Sequence, residues 1–397
     1  MILQTELKKR VGLKADIPYK ENMKADKCKV LKTPVFEART NGYHVYRIPG
    51  ILAVGKNVVL ATAEARRGKG GDYDNNDVIM RRSEDNGITW GPPQVIVSNE
   101  TYGSGPVSNF IMIYDRNNKS VQVLFCHDYN RVFSIRSMDE GKTFSKPVEI
   151  TSVLESYKKL YPWTVIATGP SHGIQLRNGR YVVPLWMSDG TGTEFGKNHR
   201  GHRPSAVGSL YSDDHGTTWK CGDIVVDTGP GMRNPNETTA VELSDGKVLF
   251  NIRSECDENR RLISNSPDGA VKWSKPAFDN DLYEPICMGC LLKVQGPDGK
   301  SAILFSNPRN LDPVDADWGK KSVRRDRKNL TLHLSYDDCR TWPVKKLLED
   351  GPSGYSDLTV SEDGTIMCLY ECGRVSGMYD DKYLMLARFN IEYLTSK

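Results

Sequence analysis

The chain has 397 residues, 38% of them hydrophobic and 26% charged, with a formal net charge of +4. This is the balance of a folded globular protein and excludes a disordered chain. So small a charge suits an anionic substrate better than a nucleic-acid backbone, and no stretch approaches the roughly 18 apolar residues of a membrane span.

Residues 1–34 open with MILQTELKKRVGLKAD, which lacks the charged, apolar, small-residue order of a signal peptide. They read as an N-terminal extension or first-strand region ahead of a single domain over 35–397, in a chain that is intracellular or a mature form with its leader removed. HVYRIPG (His44–Gly50) then reads as a strand end stopped by Pro49, with Arg47 carrying a permanent charge inside it. The neutral explanation is a surface arginine whose stem covers apolar neighbours. AEARRGKGGDYD (Ala63–Asp74) is a strand end followed by a glycine-rich loop, and VQVLFC and GRYVVPLW are short alternating strand segments.

Between the strands runs a repeat: SEDNGITW from Ser83, SMDEGKTF from Ser137, SDDHGTTW from Ser212 and SYDDCRTW from Ser335, with a worn copy, SPDGAVKW, from Ser266. The shared form is Ser-x-Asp-x-Gly-x-Thr-Trp/Phe. Its physics is that of a tight turn: Asp accepts from nearby amides, Gly permits positive φ, and the aromatic closes the turn. From Ser83 to Ser335 is 252 residues in four steps of about 63, so the chain holds about six such units. An all-β, six-bladed propeller is expected, because radial closure hides the sheet edges. Functional residues should then lie far apart in sequence, one or two per blade.

Of the nine cysteines only Cys287 and Cys290 form CxxC, in EPICMGCLL, and Cys368 and Cys372 are a weak second pair. Strand residues at i and i+3 point to opposite faces, so no metal is expected there. The sequons at Asn99, Asn118, Asn236 and Asn329 are short enough to arise by chance, and the basic run Lys320–Lys328 reads as a solvated loop. His172, in ATGPSHGIQL, reads as a structural loop residue.

The YRIP motif ahead of several such boxes resembles the sialidase (neuraminidase) family of six-bladed propellers, over about Val35 to Ala387. That resemblance implies three arginines gripping the carboxylate of sialic acid: Arg47 of YRIPG, Arg253 of LFNIRS and Arg327 of RRDRKNLTLHLS, with Arg324 and Arg325 as neighbouring alternatives to the last. A planar fork binds a carboxylate bidentately, which explains the choice of residue. By the same resemblance Glu371 of CLYE would brace Arg47. Arg66 would face the O4 side of the sugar, and Asp72 would be the acid/base, with Asp74 the neighbouring alternative. Glu237 of NPNETT and Tyr355 of GPSGYSDL would be base and nucleophile, a tyrosine avoiding the like charge that a carboxylate would meet at an anomeric carbon bearing a carboxylate. The implied activity is a retaining exo-α-sialidase acting on sialylated glycoproteins, glycolipids or oligosaccharides without metal or organic cofactor. A trans-sialidase, an intramolecular trans-sialidase or a non-catalytic sialic-acid-binding propeller are the alternatives.

Overall fold

The computed structural model describes residues 29–314 and 325–396. Residues 1–28 of the expected N-terminal region, and the Lys320–Arg324 part of the basic run, lie outside the described residues. Nearly every described element is a strand, and none of the helices is long and apolar enough to cross a membrane. The strands form an all-β, propeller-like fold of antiparallel meanders. Successive sheets begin with Val45–Val54, Val107–Asp115, Val165–Thr168, Thr238–Glu242 and Cys290–Gln295.

Among the described residues the hydrogen-bonded sheets number five, against the six that the repeat spacing predicts: three have four strands, one has five and one has seven. The cause is one long strand, Val344–Val360. Its first half pairs with Lys328–Ser335 and its second half, from Ser353, pairs with Ile366–Arg374. At the far edge of this sheet Leu31–Glu37 pairs with Asp381–Phe389, so a strand from near the start of the chain covers one from near its end. That strand spans position 34, where the sequence suggested a boundary.

The repeats are turns of one design. Each begins on the last residue of a third strand, as in Asn76–Ser83, Arg131–Ser137, Ser205–Ser212 and Lys328–Ser335. In the first copy Ser83 Oγ donates to Asp85 Oδ1 at 2.8 Å and accepts from the Gly87 amide at 2.8 Å, while Asp85 also takes the Thr89 amide at 2.8 Å and hydroxyl at 2.6 Å. The copies at Ser137, Ser212 and Ser335 repeat these bonds. Gly87, Gly141 and Gly216 have φ of 77°, 80° and 76°, and Cys339 holds the same place at 65°. The turn therefore dictates the left-handed backbone even where glycine is absent.

These turns join third strands to fourth strands. The ends of second strands and the starts of first and third strands therefore lie at the opposite end of the sheets. Arg47, Arg66, Glu237, Arg253, Arg327 and Glu371 all sit at or next to such positions.

The repeat carboxylates make the fold acid-sensitive. The Thr143 hydroxyl and amide bring Asp139 down to about 2; burial raises Asp214, but bonds from Thr218 outweigh it and bring it to about 2 as well. A depressed folded value stabilises above the unfolded carboxylate value, about 3.9, and that contribution fades as pH falls toward the folded one. Unfolding free energy measured in urea should drop between about pH 4 and about pH 2, and Asp139→Asn should make the drop shallower. An unchanged slope in that variant would show the turn does not carry the effect.

Candidate active site

Glu371, on Ile366–Arg374, is fully buried and accepts four bonds. Arg47 donates Nε and Nη2 to its two oxygens at 3.1 and 3.2 Å, and the amides of Ile48 and Tyr355 donate at 3.1 and 2.9 Å. This geometry needs a bulge: the pairing register of Val45–Val54 shifts between Arg47 and Gly50, and Ile48 takes φ 55°. A β-branched residue there costs on the order of 1–3 kcal/mol. Residue 354 must be glycine, since a Cβ would lie 2.3 Å from Glu371 Oε2. Arg47 is thus not a surface arginine; it is 6% exposed and held by a buried carboxylate.

Tyr355 stands among the three arginines. Arg253 Nη1 donates to its hydroxyl at 2.8 Å, and the guanidiniums of Arg47 and Arg327 lie 5.3 and 5.1 Å from its ring centre. The Tyr355 hydroxyl in turn makes a short bond to Glu237 Oε1, and Arg253 Nη1 bonds Glu237 Oε2. Burial pushes the phenol well above its ordinary value, against the pull of Arg253, so the ring is neutral and its proton rests on the bond to Glu237.

The arginines differ in their partners. Arg47 has Glu371, Arg253 has Glu237, and Arg66 has both Glu64 at 2.7 Å and Asp72 at 2.7 Å. Among the described residues Arg327 has no carboxylate within ion-pair distance. Its Nη2 donates to the Ile286 carbonyl at 2.6 Å, and its buried Nε has no hydrogen-bond partner. Ile286, like Ile48, is an isoleucine with positive φ, at 60°. Arg325 lies instead on an isolated bridge to Pro313, and Arg324 is outside the described residues.

Asp72 and Asp74 separate cleanly. Asp74 accepts the amides of Lys69 at 3.0 Å and Gly71 at 2.8 Å and so shapes the loop, whereas Asp72 reaches Arg66. Burial raises the Asp72 carboxyl, but Arg66, His202 and Arg47 together hold it below the carboxylate range. The loop is anchored by Tyr73, which donates to the Arg200 carbonyl at 2.8 Å and stacks on His199 at 4.4 Å.

Sequence reasoning missed several neighbours. Glu64 sits two residues before Arg66 on the same strand face, a period-two signal that was readable in AEAR. Tyr379 lies with its ring centre 5.5 Å from the Arg47 guanidinium and 4.9 Å from that of Arg327, and no motif announced it. Arg261 and Glu284 form a fully buried pair at 2.6 Å, and burial lifts Glu284 to about 7 in spite of Arg261. Asp381 is lifted to about 8 by burial and by the charge of Glu371.

A carboxyl raised in the folded state stabilises below its unfolded value and loses that contribution as pH rises through the folded one. Asp381→Asn should therefore be more stable than the parent at about pH 8, with the gain shrinking toward about pH 4. Glu371→Gln should be less stable throughout, because Arg47 is left buried without its counter-ion. A stability difference between Asp381→Asn and the parent that is the same at both pH values in thermal unfolding would refute a raised Asp381 carboxyl.

Residues 57–368 match the family described as BNR repeat-like domain. Among curated proteins the chain is 28% identical over 358 residues to a sialidase of Micromonospora viridifaciens, covering 84% of this chain and 50% of that protein. It is 27% identical over 372 residues to sialidase-2 of Rattus norvegicus, covering 85% and 90%. Against the first two bacterial relatives the chain spans only 50% and 60% of their length. Among solved structures, a Hadza microbial sialidase aligns with a TM-score of 0.75 at 23% identity, covering 92% of this chain and 69% of that one. The intramolecular trans-sialidase of Ruminococcus gnavus aligns with a TM-score of 0.70 at 18% identity, covering 91% and 98%. With repeats, fold and family match in agreement, the chain belongs to the BNR repeat-like domain family, and the relatives it resembles are sialidases.

Proposed function

We propose that this chain is a retaining exo-α-sialidase that removes terminal α-linked sialic acid from glycoproteins, glycolipids or oligosaccharides. The observation that carries the reading is the Glu237–Tyr355–Arg253 contact set, framed by Arg47 and Arg327. Relatives named sialidase, and a Trypanosoma rangeli sialidase structure titled as a complex with sialic acid, support the substrate class. In the same reading the seven-stranded sheet is two four-stranded blades sharing Val344–Val360, which makes six blades in a single catalytic domain.

The substrate carboxylate enters beside Arg327, the arginine whose own neighbourhood lacks a carboxylate, and Arg47 and Arg253 complete the grip. Charge-assisted bonds from planar forks fix the sugar with its anomeric carbon over Tyr355. Tyr355 passes its proton to Glu237 as the phenol oxygen attacks, and Arg253 stabilises the charge left on that oxygen. The leaving oxygen takes a proton from Asp72, which must first be protonated away from Arg66. A bound carboxylate offsets Arg47, one of the charges that keep Asp72 ionised, and so eases that step. Water activated by Asp72 then releases the sugar with its configuration retained.

A 3-fluoro-sialosyl fluoride should trap the covalent species, and mass spectrometry of a digest should place the sugar on the peptide containing GYSDL. Label on Glu237, or β-sialic acid as first product by NMR, would defeat the tyrosine mechanism. Product analysis also separates hydrolysis from transfer to an acceptor or to the sugar's own hydroxyl.

Two substitutions divide the roles. Arg327→Ala should lower kcat/KM by at least about two orders of magnitude, chiefly through KM, while Arg325→Ala stays near the parent. Asp72→Ala should slow substrates with poor leaving groups far more than activated aryl sialosides, since only the former need the first proton. Equal loss on both would take the acid role from Asp72 and leave Tyr355 untouched.

A further inference from the structure

His172 takes no part in the contacts around Tyr355, yet it is not an isolated loop residue. Asp357 follows Tyr355 by two residues on Val344–Val360, so both side chains leave the same face of the strand. Its Oδ2 accepts the Ile51 amide from the first sheet at 2.8 Å. Its Oδ1 lies 2.6 Å from Ser171 Oγ, 2.7 Å from His172 Nδ1, 3.0 Å from the Leu358 amide and 3.2 Å from Cys290 Sγ. Four donors converge on one oxygen that offers two lone pairs. Cys290 Sγ is also 3.8 Å from His172 Nδ1, so thiol and imidazole hydrogens are aimed into one small space. Cys290 and Asp357 are fully buried.

We propose that His172 Nδ1, Cys290 Sγ and Asp357 Oδ1 form a site for one divalent transition-metal ion of the zinc class. The donor set is one imidazole, one thiolate and one carboxylate, which suits zinc and not calcium or magnesium, since those need several oxygens. The three separations also fit. The point equidistant from the three atoms in their own plane is about 1.9 Å from each, and a displacement of about 0.8 Å out of the plane gives about 2.1 Å, which suits nitrogen and oxygen, while a shift of about 0.2 Å away from Sγ reaches about 2.3 Å, the length of a zinc–thiolate bond. Ser171 Oγ, 3.3 Å from His172 Nδ1, or a water takes the fourth position. The Ile51 amide on Oδ2 supplies the outer bond that orients a ligating carboxylate.

Binding is a proton exchange with no redox step. The Cys290 thiol proton and the His172 Nδ1 proton both leave to solvent, and His172 keeps its proton on Nε2. The ion, thiolate and carboxylate together are neutral, which suits a buried place. The cysteine spacing argued against a metal because it paired cysteine with cysteine. The structure instead pairs Cys290 with a histidine between Val165–Thr168 and Ile174–Gln175 and with an aspartate 67 positions further on. The ion would tie the third sheet to two strands of the seven-stranded one.

The test uses the full chain, stripped with a chelator and titrated with Co²⁺ and then Zn²⁺. The expected result is one ion per chain, a thiolate-to-cobalt charge-transfer band displaced by zinc, and an unfolding midpoint that rises with zinc. Cys290→Ser should lose the band and the zinc-dependent rise, and His172→Gln should weaken binding at least about tenfold. A parent protein with no such band overturns the site whatever the variants do, and leaves the cluster as a hydrogen-bonded tie. A band that survives in Cys290→Ser, or undiminished affinity in His172→Gln, places the metal on other residues and overturns it equally.

Discussion

The structure depends on what Glu371 does with its two oxygens. A buried carboxylate facing a buried guanidinium carries a desolvation cost of several kcal/mol per ion, which only good geometry and further hydrogen bonds offset. The further bonds here come from the amides of Ile48 and Tyr355. That arrangement forces three other features at once: the bulge after Arg47, the positive φ of Ile48, and a residue without Cβ at Gly354. Arginine, tyrosine and bulge are therefore one unit. Its worth is positional, because a buried ion pair is weak evidence for net stability.

The same accounting of charge explains the asymmetry among the arginines. Arg47, Arg66 and Arg253 each face at least one carboxylate of the chain, and Arg327 faces a carbonyl oxygen and two tyrosine rings. Ring faces attract a cation weakly compared with a carboxylate in a dry site. Counted without Arg66, which has two carboxylates of its own, the three arginines around Tyr355 face only Glu371 and Glu237 and are short of one anion. A group carrying one carboxylate would balance the three, and a neutral group would not.

Much of this was legible in the sequence, and the reason differs from residue to residue. The Ser-x-Asp-x-Gly turns are local: every bond lies within a few positions, so the string contains its own explanation. The resemblance carried Arg47, Arg253, Arg327, Tyr355, Glu237 and Glu371, which the structure brings together around one hydroxyl and one buried carboxylate. The choice between Asp72 and Asp74 needed geometry, since both sit in one glycine-rich loop and only one reaches Arg66. Tyr379 and Asp381 were unreadable because no motif marks them and their surroundings form only on folding: Tyr379 meets Arg47 and Arg327 from other parts of the chain, and Asp381 comes beside Glu371 across a strand pair. The sheet count departed from expectation because strand continuity through Pro352 and Ser353 joins two meanders, and repeat spacing says nothing about whether a strand breaks.

A neutral ring at position 355 is also what lets the arginines remain available. A carboxylate in that place would stand beside Arg253 and within reach of Arg47 and Arg327, and it would join Glu237 and Glu371 in one buried cluster. Either it would pair with Arg327 and occupy the role left to the ligand, or it would take up a proton, as crowded carboxylates do. Asp381 shows the second outcome in this very site: next to Glu371, it is pushed up and holds its proton. A phenol escapes both. Burial keeps it neutral, its ring offers cation–π contact without cancelling charge, and its single proton points at Glu237. The tyrosine thus fits the same shortage of one anion, since a residue that supplied the third carboxylate from within would leave none of Arg47, Arg253 and Arg327 without a carboxylate partner.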